Sequence, residues 1–157
     1  MGPTPTTTTT STTTTILTRA MARVLLLPIF MVAVATMVKG YAGAGDGFSA
    51  GVIAALGVLL QYVAIGAEET ERSPIVHFAT AGALVGLAIA LAVAFLPVLG
   101  GEAVLTHWPG PGEHVFHIGS LELITAVLFD VGVFLVVFGF GVGVIGTIAR
   151  AAHWRRR

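Results

Sequence analysis

Four long apolar stretches dominate this chain of 157 residues and leave few ways for it to fold. They cover residues 24–38, 48–66, 77–99 and 121–148 and are almost free of charged side chains. An α-helix needs about 20 residues to cross a hydrocarbon core roughly 30 Å thick. Transmembrane β-strands would instead give short segments of alternating polarity, which the sequence lacks. The pattern therefore predicts an all-α integral membrane protein with four transmembrane helices.

Composition excludes several classes of function. Hydrophobic residues make up 55% of the chain and charged residues 10%, which is too much apolar surface for a soluble domain of this size to bury. The chain has no cysteine, so disulfides and thiol chemistry are excluded. The basic residues stand only at the ends of the apolar stretches, which argues against nucleic-acid binding. Catalytic, phosphate-binding and zinc motifs are missing as well, so we predict neither an enzyme nor a cofactor or metal site.

The positions of lysine and arginine predict the orientation in the membrane. With four spans, seven of the eight basic residues fall on one side: Arg19, Arg23, Arg72, Arg150, Arg155, Arg156 and Arg157. Only Lys39 falls on the other side. Because basic residues are enriched in cytoplasmic segments, both termini are predicted to be cytoplasmic.

The same pattern divides the chain into three parts. Residues 1–18 are rich in threonine and bury little, so they predict a disordered cytoplasmic tail. Residues 19–150 predict the membrane domain, with helices at about 19–38, 48–66, 76–99 and 121–148. Residues 151–157 predict a basic cytoplasmic tail.

Two acids in the fourth stretch are the leading candidates for function. Counted from residue 121 at 1.5 Å per residue, Asp130 lies about 13 Å into the helix and close to the membrane midplane. A charge costs roughly 2.5–3.5 kcal/mol at that depth. Asp130 is therefore either part of a proton or cation path or a structural acid in an interhelical hydrogen bond. Glu122 is either an acid at the outer mouth of such a path or a solvated helix start.

Small residues predict close helix packing on the fourth helix. At about 100° per residue, Gly132, Gly139, Gly143 and Gly146 share one face, and Asp130, Phe134, Val137 and Gly141 share the other. The glycine face requires a neighbouring helix at close range, and the face that holds Asp130 requires shelter from lipid. If this helix lies at the edge of a four-helix bundle, the chain cannot cover both faces, which predicts a larger membrane complex.

Other polar residues have simpler interpretations. Asp46 is predicted to cap the second helix. The long loop before the fourth stretch contains His107, His114 and His117 beside a Pro-Gly-Pro-Gly segment, and solvated histidines are expected there rather than a metal site. The acids Glu68, Glu69 and Glu71 are expected to form a solvated surface.

Two segments of the chain follow the motif patterns of one family of membrane-protein subunits. The first, residues 40–48, follows the family pattern Gly-His-Asn-x-Pro-Gly-Gly-Gly-Phe at Gly40, Gly45, Gly47 and Phe48. It departs from the pattern at Tyr41, Ala42, Ala44 and Asp46. The second, residues 128–139, resembles the pattern Leu-Phe-Asp-x-Gly-Val-x-Leu-x-Val-x-Gly and includes Phe129, Asp130 and Gly132. Through these two segments the chain resembles the B-type subunit of the multisubunit Na⁺/H⁺ antiporters of the Mrp or Mnh type. The resemblance covers roughly residues 19–148.

The resemblance implies a small hydrophobic subunit of a cation/proton antiporter in a prokaryotic cell membrane. Such complexes exchange Na⁺ for H⁺, so the implied partners are other subunits, the two ions and the lipid bilayer. The implied role is to support assembly, and lining part of the ion path is a further candidate role. Two alternatives stay open: a membrane subunit of a related redox complex such as a hydrogenase, and a purely structural subunit.

Overall fold

The computed structural model describes residues 8–39, 46–105, 117–118, 121–122 and 125–154, and it is helical through most of them. The helices are α1 (Thr8–Lys39), α2 (Asp46–Ala64), α3 (Ala67–Glu71), α4 (Pro74–Leu99) and α5 (Thr125–Trp154). Two short strands, β1 (His117–Ile118) and β2 (Leu121–Glu122), pair in antiparallel register before α5. Four of the helices are long and apolar enough to cross a membrane, so the predicted four-helix membrane fold is confirmed.

The four long helices form because apolar side chains cover them on all sides and lipid offers the backbone no hydrogen-bond partners. A chain in hydrocarbon must satisfy its own N–H and C=O groups, and a helix does so within one segment. The apolar spans cover Thr15–Lys39, Asp46–Ala64, Pro74–Leu99 and Thr125–Ala152. Proline at the start of α4 is compatible with helix, because the first turn has no intrahelical acceptor for its missing N–H.

Several helix boundaries differ from the predicted ones. The helix α1 begins at Thr8, inside the segment predicted to be disordered, because extending an existing helix adds one hydrogen bond per residue without a new nucleation cost. At the other end of the chain, α5 extends to Trp154, beyond the predicted end at residue 148. Its start is at Thr125 rather than at residue 121, because residues 121–122 pair with β1 instead of forming a first helical turn.

The long helices pack in the order α1, α2, α5, α4, so α2 and α5 lie in the middle of the row. In the most apolar 18-residue stretch of α2, half of the residues are buried inside the bundle, compared with 11% in the same stretch of α1 and of α4. The core lies between the two central helices and contains Ala54, Ala55, Val58, Phe138 and Val142. Phe30 of α1 reaches this core and meets Phe138 edge-to-face, with ring centroids 5.8 Å apart.

We call the end of the bundle that carries α3 and the C-terminal part of α5 the terminal end, and the opposite end the loop end. At the terminal end α2 gives way to α3 through Gly66, whose φ of 104° is readily adopted only by glycine. Because α2 and α5 both run from the loop end to the terminal end, equivalent levels of the two helices meet, from Gly47 beside Asp130 to Tyr62 beside Gly146.

Candidate functional site

The first turn of α2 lies directly on the backbone of Asp130. A Cβ atom built on Gly47 would stand 3.1 Å from the Cα of Asp130 and would overlap its carbonyl oxygen. Only glycine allows this approach, because any side chain would push the two helices apart. The two sequence segments that carry the family resemblance therefore meet at one point, although about 80 residues separate them in the chain.

The contact continues along the face of α5 that holds Asp130. A Cβ on Gly51 would stand 3.0 Å from the carbonyl oxygen of Phe134, and one on Gly141 would stand 2.9 Å from the Cβ of Ala55. Glycine thus permits the close contact from the α2 side near the loop end and from the α5 side nearer the terminal end. This face of α5 is sheltered by α2 of the same chain.

The opposite face of α5 packs on α4. A Cβ on Gly132 would stand 2.9 Å from the carbonyl oxygen of Gly86 and 3.2 Å from the Cβ of Ala90. Farther along, a Cβ on Gly139 would stand 2.7 Å from the Cβ of Ala83 and would overlap the carbonyl oxygen of Ala79. The buried residues Ala79, Gly86 and Val93 of α4 repeat every seven positions, which keeps one stripe facing α5.

Gly143 and Gly146 have different surroundings. A Cβ on Gly143 would meet nothing within 4 Å, whereas one on Gly146 would stand 3.1 Å from the Tyr62 hydroxyl. The two faces of α5 are nevertheless covered by α2 and α4. This chain thus covers both faces of α5 itself, contrary to the prediction, because α5 lies between two helices and not at the edge of the bundle.

Asp130 lies in the loop-end half of its span rather than near the midplane. It is five residues, about 7.5 Å, from the first residue of α5 and about 13 Å from the middle of the Thr125–Ala152 span. Its backbone is level with the second residue of α2. The predicted depth is wrong because it was counted from residue 121, four residues before the helix begins.

Asp130 is half-buried, and none of the described residues forms a hydrogen bond or ion pair with its carboxylate. Asp46, the first residue of α2, adjoins Gly47 and brings a second acid to the same level of the bundle. An ionised carboxylate in this position needs water or a polar partner, since lipid cannot solvate it. We therefore expect water or a polar group to contact Asp130 at the loop end of the α2–α5 contact.

The remaining predicted site residues fall into two groups. Phe48 is exposed, Phe129 is half-buried, and Glu122 pairs through its backbone with His117 in the β1–β2 ladder. Gly45, His107 and His114 lie outside the described residues. Within the described part of the chain, no three His, Asp or Glu residues gather into a possible metal site.

At the terminal end, three arginines pair with the acids of the α3 region. Arg23 of α1 pairs with Glu69, Arg150 of α5 with Glu71 at 3.0 Å, and Arg72 with Glu68 at 3.1 Å. These acids are thus paired rather than only solvated. The sequence shows the charges, but the pairing across 46 and 79 residues depends on the helix order.

Two buried polar side chains at the terminal end are not among the predicted site residues. Gln61 is 6% exposed and donates a hydrogen bond of 2.6 Å from Nε2 to the carbonyl oxygen of Ala22, which joins α2 to α1. Next to it, Tyr62 is 7% exposed. The available signal was the position of both residues inside an apolar helix, where a polar side chain requires a partner.

Comparison with known proteins agrees with this architecture. Residues 17–143 match the family described as "Domain related to MnhB subunit of Na+/H+ antiporter". The chain belongs to this family. Two curated relatives are each named as the B-type subunit of an Na(+)/H(+) antiporter. The protein from Alkalihalophilus pseudofirmus is 31% identical over 134 residues, which cover 85% of this chain and 92% of the relative. The protein from Bacillus subtilis is 35% identical over 112 residues, which cover 70% and 76%.

Membership in the MnhB family fits what the fold shows. The matched residues begin in α1 and end in α5, so they reach into each of the four apolar spans and include both halves of the Gly47–Asp130 contact. The chain is a multi-pass membrane protein by the length and apolarity of its helices, and its family is one of antiporter subunits.

Proposed function

We propose that this chain is a small membrane subunit of a multisubunit Na⁺/H⁺ antiporter in a prokaryotic cell membrane. The observation that carries the proposal is the match of residues 17–143 to the MnhB family, together with two relatives that are named as antiporter subunits of the same type and align over most of their length. Its function is therefore that of a transporter subunit and not of an enzyme. Na⁺ and H⁺ are the ions that the complete complex exchanges.

The outer helices provide the surface for assembly with other subunits. In the most apolar stretches of α1 and α4, only 11% of the residues are buried inside the bundle. The exposed side chains of these helices are mostly large and apolar. Such surfaces contact lipid or partner helices in a membrane. We assign assembly to α1 and α4, because α2 and α5 use their small-residue faces within the chain.

The acids at the loop end are the candidates for contact with an ion. Asp130 is half-buried, and the core residues Val58, Phe138 and Val142 close the interface between α2 and α5 on its terminal side. A path along the axis of this chain would have to pass through that core. We therefore place any role of Asp130, and of Glu122 beyond it, at a surface shared with a partner subunit rather than in a channel inside this chain.

We propose that both termini lie in the cytoplasm, because seven of the eight lysines and arginines fall on one side of a chain that has four spans. Reporter domains fused after Arg157 and inserted between α4 and α5 should give opposite signals. At the C-terminal position, a reporter that works only in the cytoplasm should be active, and one that works only in the periplasm should be inactive. A periplasmic signal from that fusion would contradict the orientation.

The proposed function is tested by exchange in vesicles from cells that carry all other subunits of the complex. Deleting this chain should abolish Na⁺-dependent proton movement, and supplying it on a plasmid should restore the movement. A deletion strain that exchanges Na⁺ for H⁺ at the wild-type rate would rule out the proposal. Gly143→Ala is the matched positive control, because its Cβ enters open space and the variant should restore exchange fully.

A further inference from the structure

A polar cavity of about 270 Å³ lies at the terminal end, between α2, α4 and α5. Its lining includes the polar side chains of Tyr62, Glu71, His77, Thr80 and Arg150. A water molecule occupies roughly 30 Å³ in the liquid and needs two to four polar partners to stay in a cavity. This cavity has both the volume and the polar partners for several water molecules.

The buried hydroxyl of Tyr62 requires a hydrogen-bond partner inside this cavity. Tyr62 is 7% exposed, and its hydroxyl is buried without a hydrogen-bond partner among the described residues. The hydroxyl stands where α5 leaves room for it, 3.1 Å from the position of a Cβ on Gly146. Buried hydroxyl groups in proteins are almost always hydrogen-bonded to protein or to ordered water. The partner of Tyr62 must therefore come from the cavity.

The charges around the cavity favour water over an ion. Glu71 accepts a hydrogen bond of 3.0 Å from Nη1 of Arg150, so the carboxylate and the guanidinium largely neutralise each other. A cation would be repelled by the arginine and an anion by the glutamate. Water can instead donate to Glu71 and accept from Tyr62, and His77 and Thr80 add further donors and acceptors.

We propose that this cavity is a hydrated vestibule, filled with water from the terminal side of the membrane and extending to the Tyr62 hydroxyl. It stops there, because Val58 and Val142 are 2% and 1% exposed and close the interface beyond it. The vestibule brings water into the inner ends of α2, α4 and α5 but does not lead to Asp130. The proposal rests on the cavity and on Tyr62, and it is independent of which ions the complex exchanges.

Because the chain contains no cysteine, single cysteines can report on water in the vestibule. Thr80→Cys and Gly143→Cys place a thiol in the lining, and the second is accommodated because a Cβ on Gly143 meets nothing within 4 Å. Phe78→Cys and Val144→Cys are the matched controls on the same helices. Phe78 and Val144 are 70% and 40% exposed on the surface of the bundle and do not line the cavity.

The experiment uses the complete complex in sealed membrane vesicles and a charged, membrane-impermeant thiol reagent applied to the side that carries the C-terminus. A thiol reacts as the thiolate, which forms in water and not in lipid, so both lining cysteines should be labelled at least about tenfold faster than their controls. Arg72→Cys, at a position whose side chain is 77% exposed, verifies that the reagent reaches the terminal side.

The vestibule would be overturned if Thr80→Cys and Gly143→Cys react as slowly as Phe78→Cys and Val144→Cys while Arg72→Cys is labelled. That result would mean that lipid or a segment of a partner subunit fills the cavity. Assembly is read separately, from recovery of the other subunits with each variant. If the assignment to the antiporter is wrong, the other subunits are not recovered. If the cavity is dry, the lining cysteines are labelled slowly, so the two failures give different results.

Discussion

Gly139→Ala is expected to destabilise the protein strongly, whereas Gly143→Ala is expected to be neutral or mildly stabilising. The two glycines are one turn apart on α5 and differ only in what a Cβ would meet. At Gly139 it would stand 2.7 Å from the Cβ of Ala83 and would overlap the backbone of Ala79, which cannot move aside as a flexible side chain can. Overpacking of this kind costs about 1–3 kcal/mol.

At Gly143 the added methyl enters open space, and alanine favours helix over glycine by about 0.5–1 kcal/mol. The measurement is the thermal unfolding temperature in detergent, together with the yield of the intact complex. Gly86→Ala and Gly82→Ala form a second matched pair on α4, since a Cβ would stand 2.5 Å from the Cβ of Leu135 at the first position and 3.8 Å from a Leu135 methyl at the second. Equal stability of Gly139→Ala and Gly143→Ala would contradict the α4–α5 packing.

Asp130→Asn is expected to assemble normally and to lose most Na⁺/H⁺ exchange. Asparagine keeps the size of the side chain and much of its hydrogen bonding but cannot carry a charge or bind and release a proton. The contact with α2 is made by the backbone of Asp130, so the substitution leaves that contact intact. A loss of at least about tenfold in exchange rate corresponds to roughly 1.4 kcal/mol in activation free energy.

Two further variants at this position separate transport from structure. Asp130→Glu keeps the charge and should retain part of the exchange. Asp130→Leu removes every polar atom and should fail in exchange while still inserting in the membrane. Wild-type exchange by Asp130→Asn would mean that this acid is structural, and the chain would then act only in assembly.

The sequence predicted those features that depend on one helix at a time. The number of spans follows from four apolar runs, and the separation of Asp130 from Gly132 onto opposite faces follows from the 100° turn per residue. These inferences need no knowledge of which helices are neighbours.

The features that sequence reasoning missed depend on helix order and register. The depth of Asp130 depends on where α5 begins, and the pairing of residues 121–122 with β1 sets that start. Gly139 and Gly143 look equivalent in a small-residue pattern, but α4 meets only the first. The vestibule likewise depends on Tyr62 of α2, Glu71 of α3 and Arg150 of α5, which meet only through the packing of these helices.

The central claim is that this chain is a subunit of a multisubunit Na⁺/H⁺ antiporter, and identifying the proteins that co-purify with it tests the claim most directly. The chain, tagged after Arg157, is extracted from native membranes in a mild detergent and its partners are identified by mass spectrometry. We predict the remaining antiporter subunits in stoichiometric amounts, and fewer of them with Gly139→Ala. Recovery of hydrogenase subunits, or of the chain alone from membranes that exchange Na⁺ for H⁺, would contradict the claim.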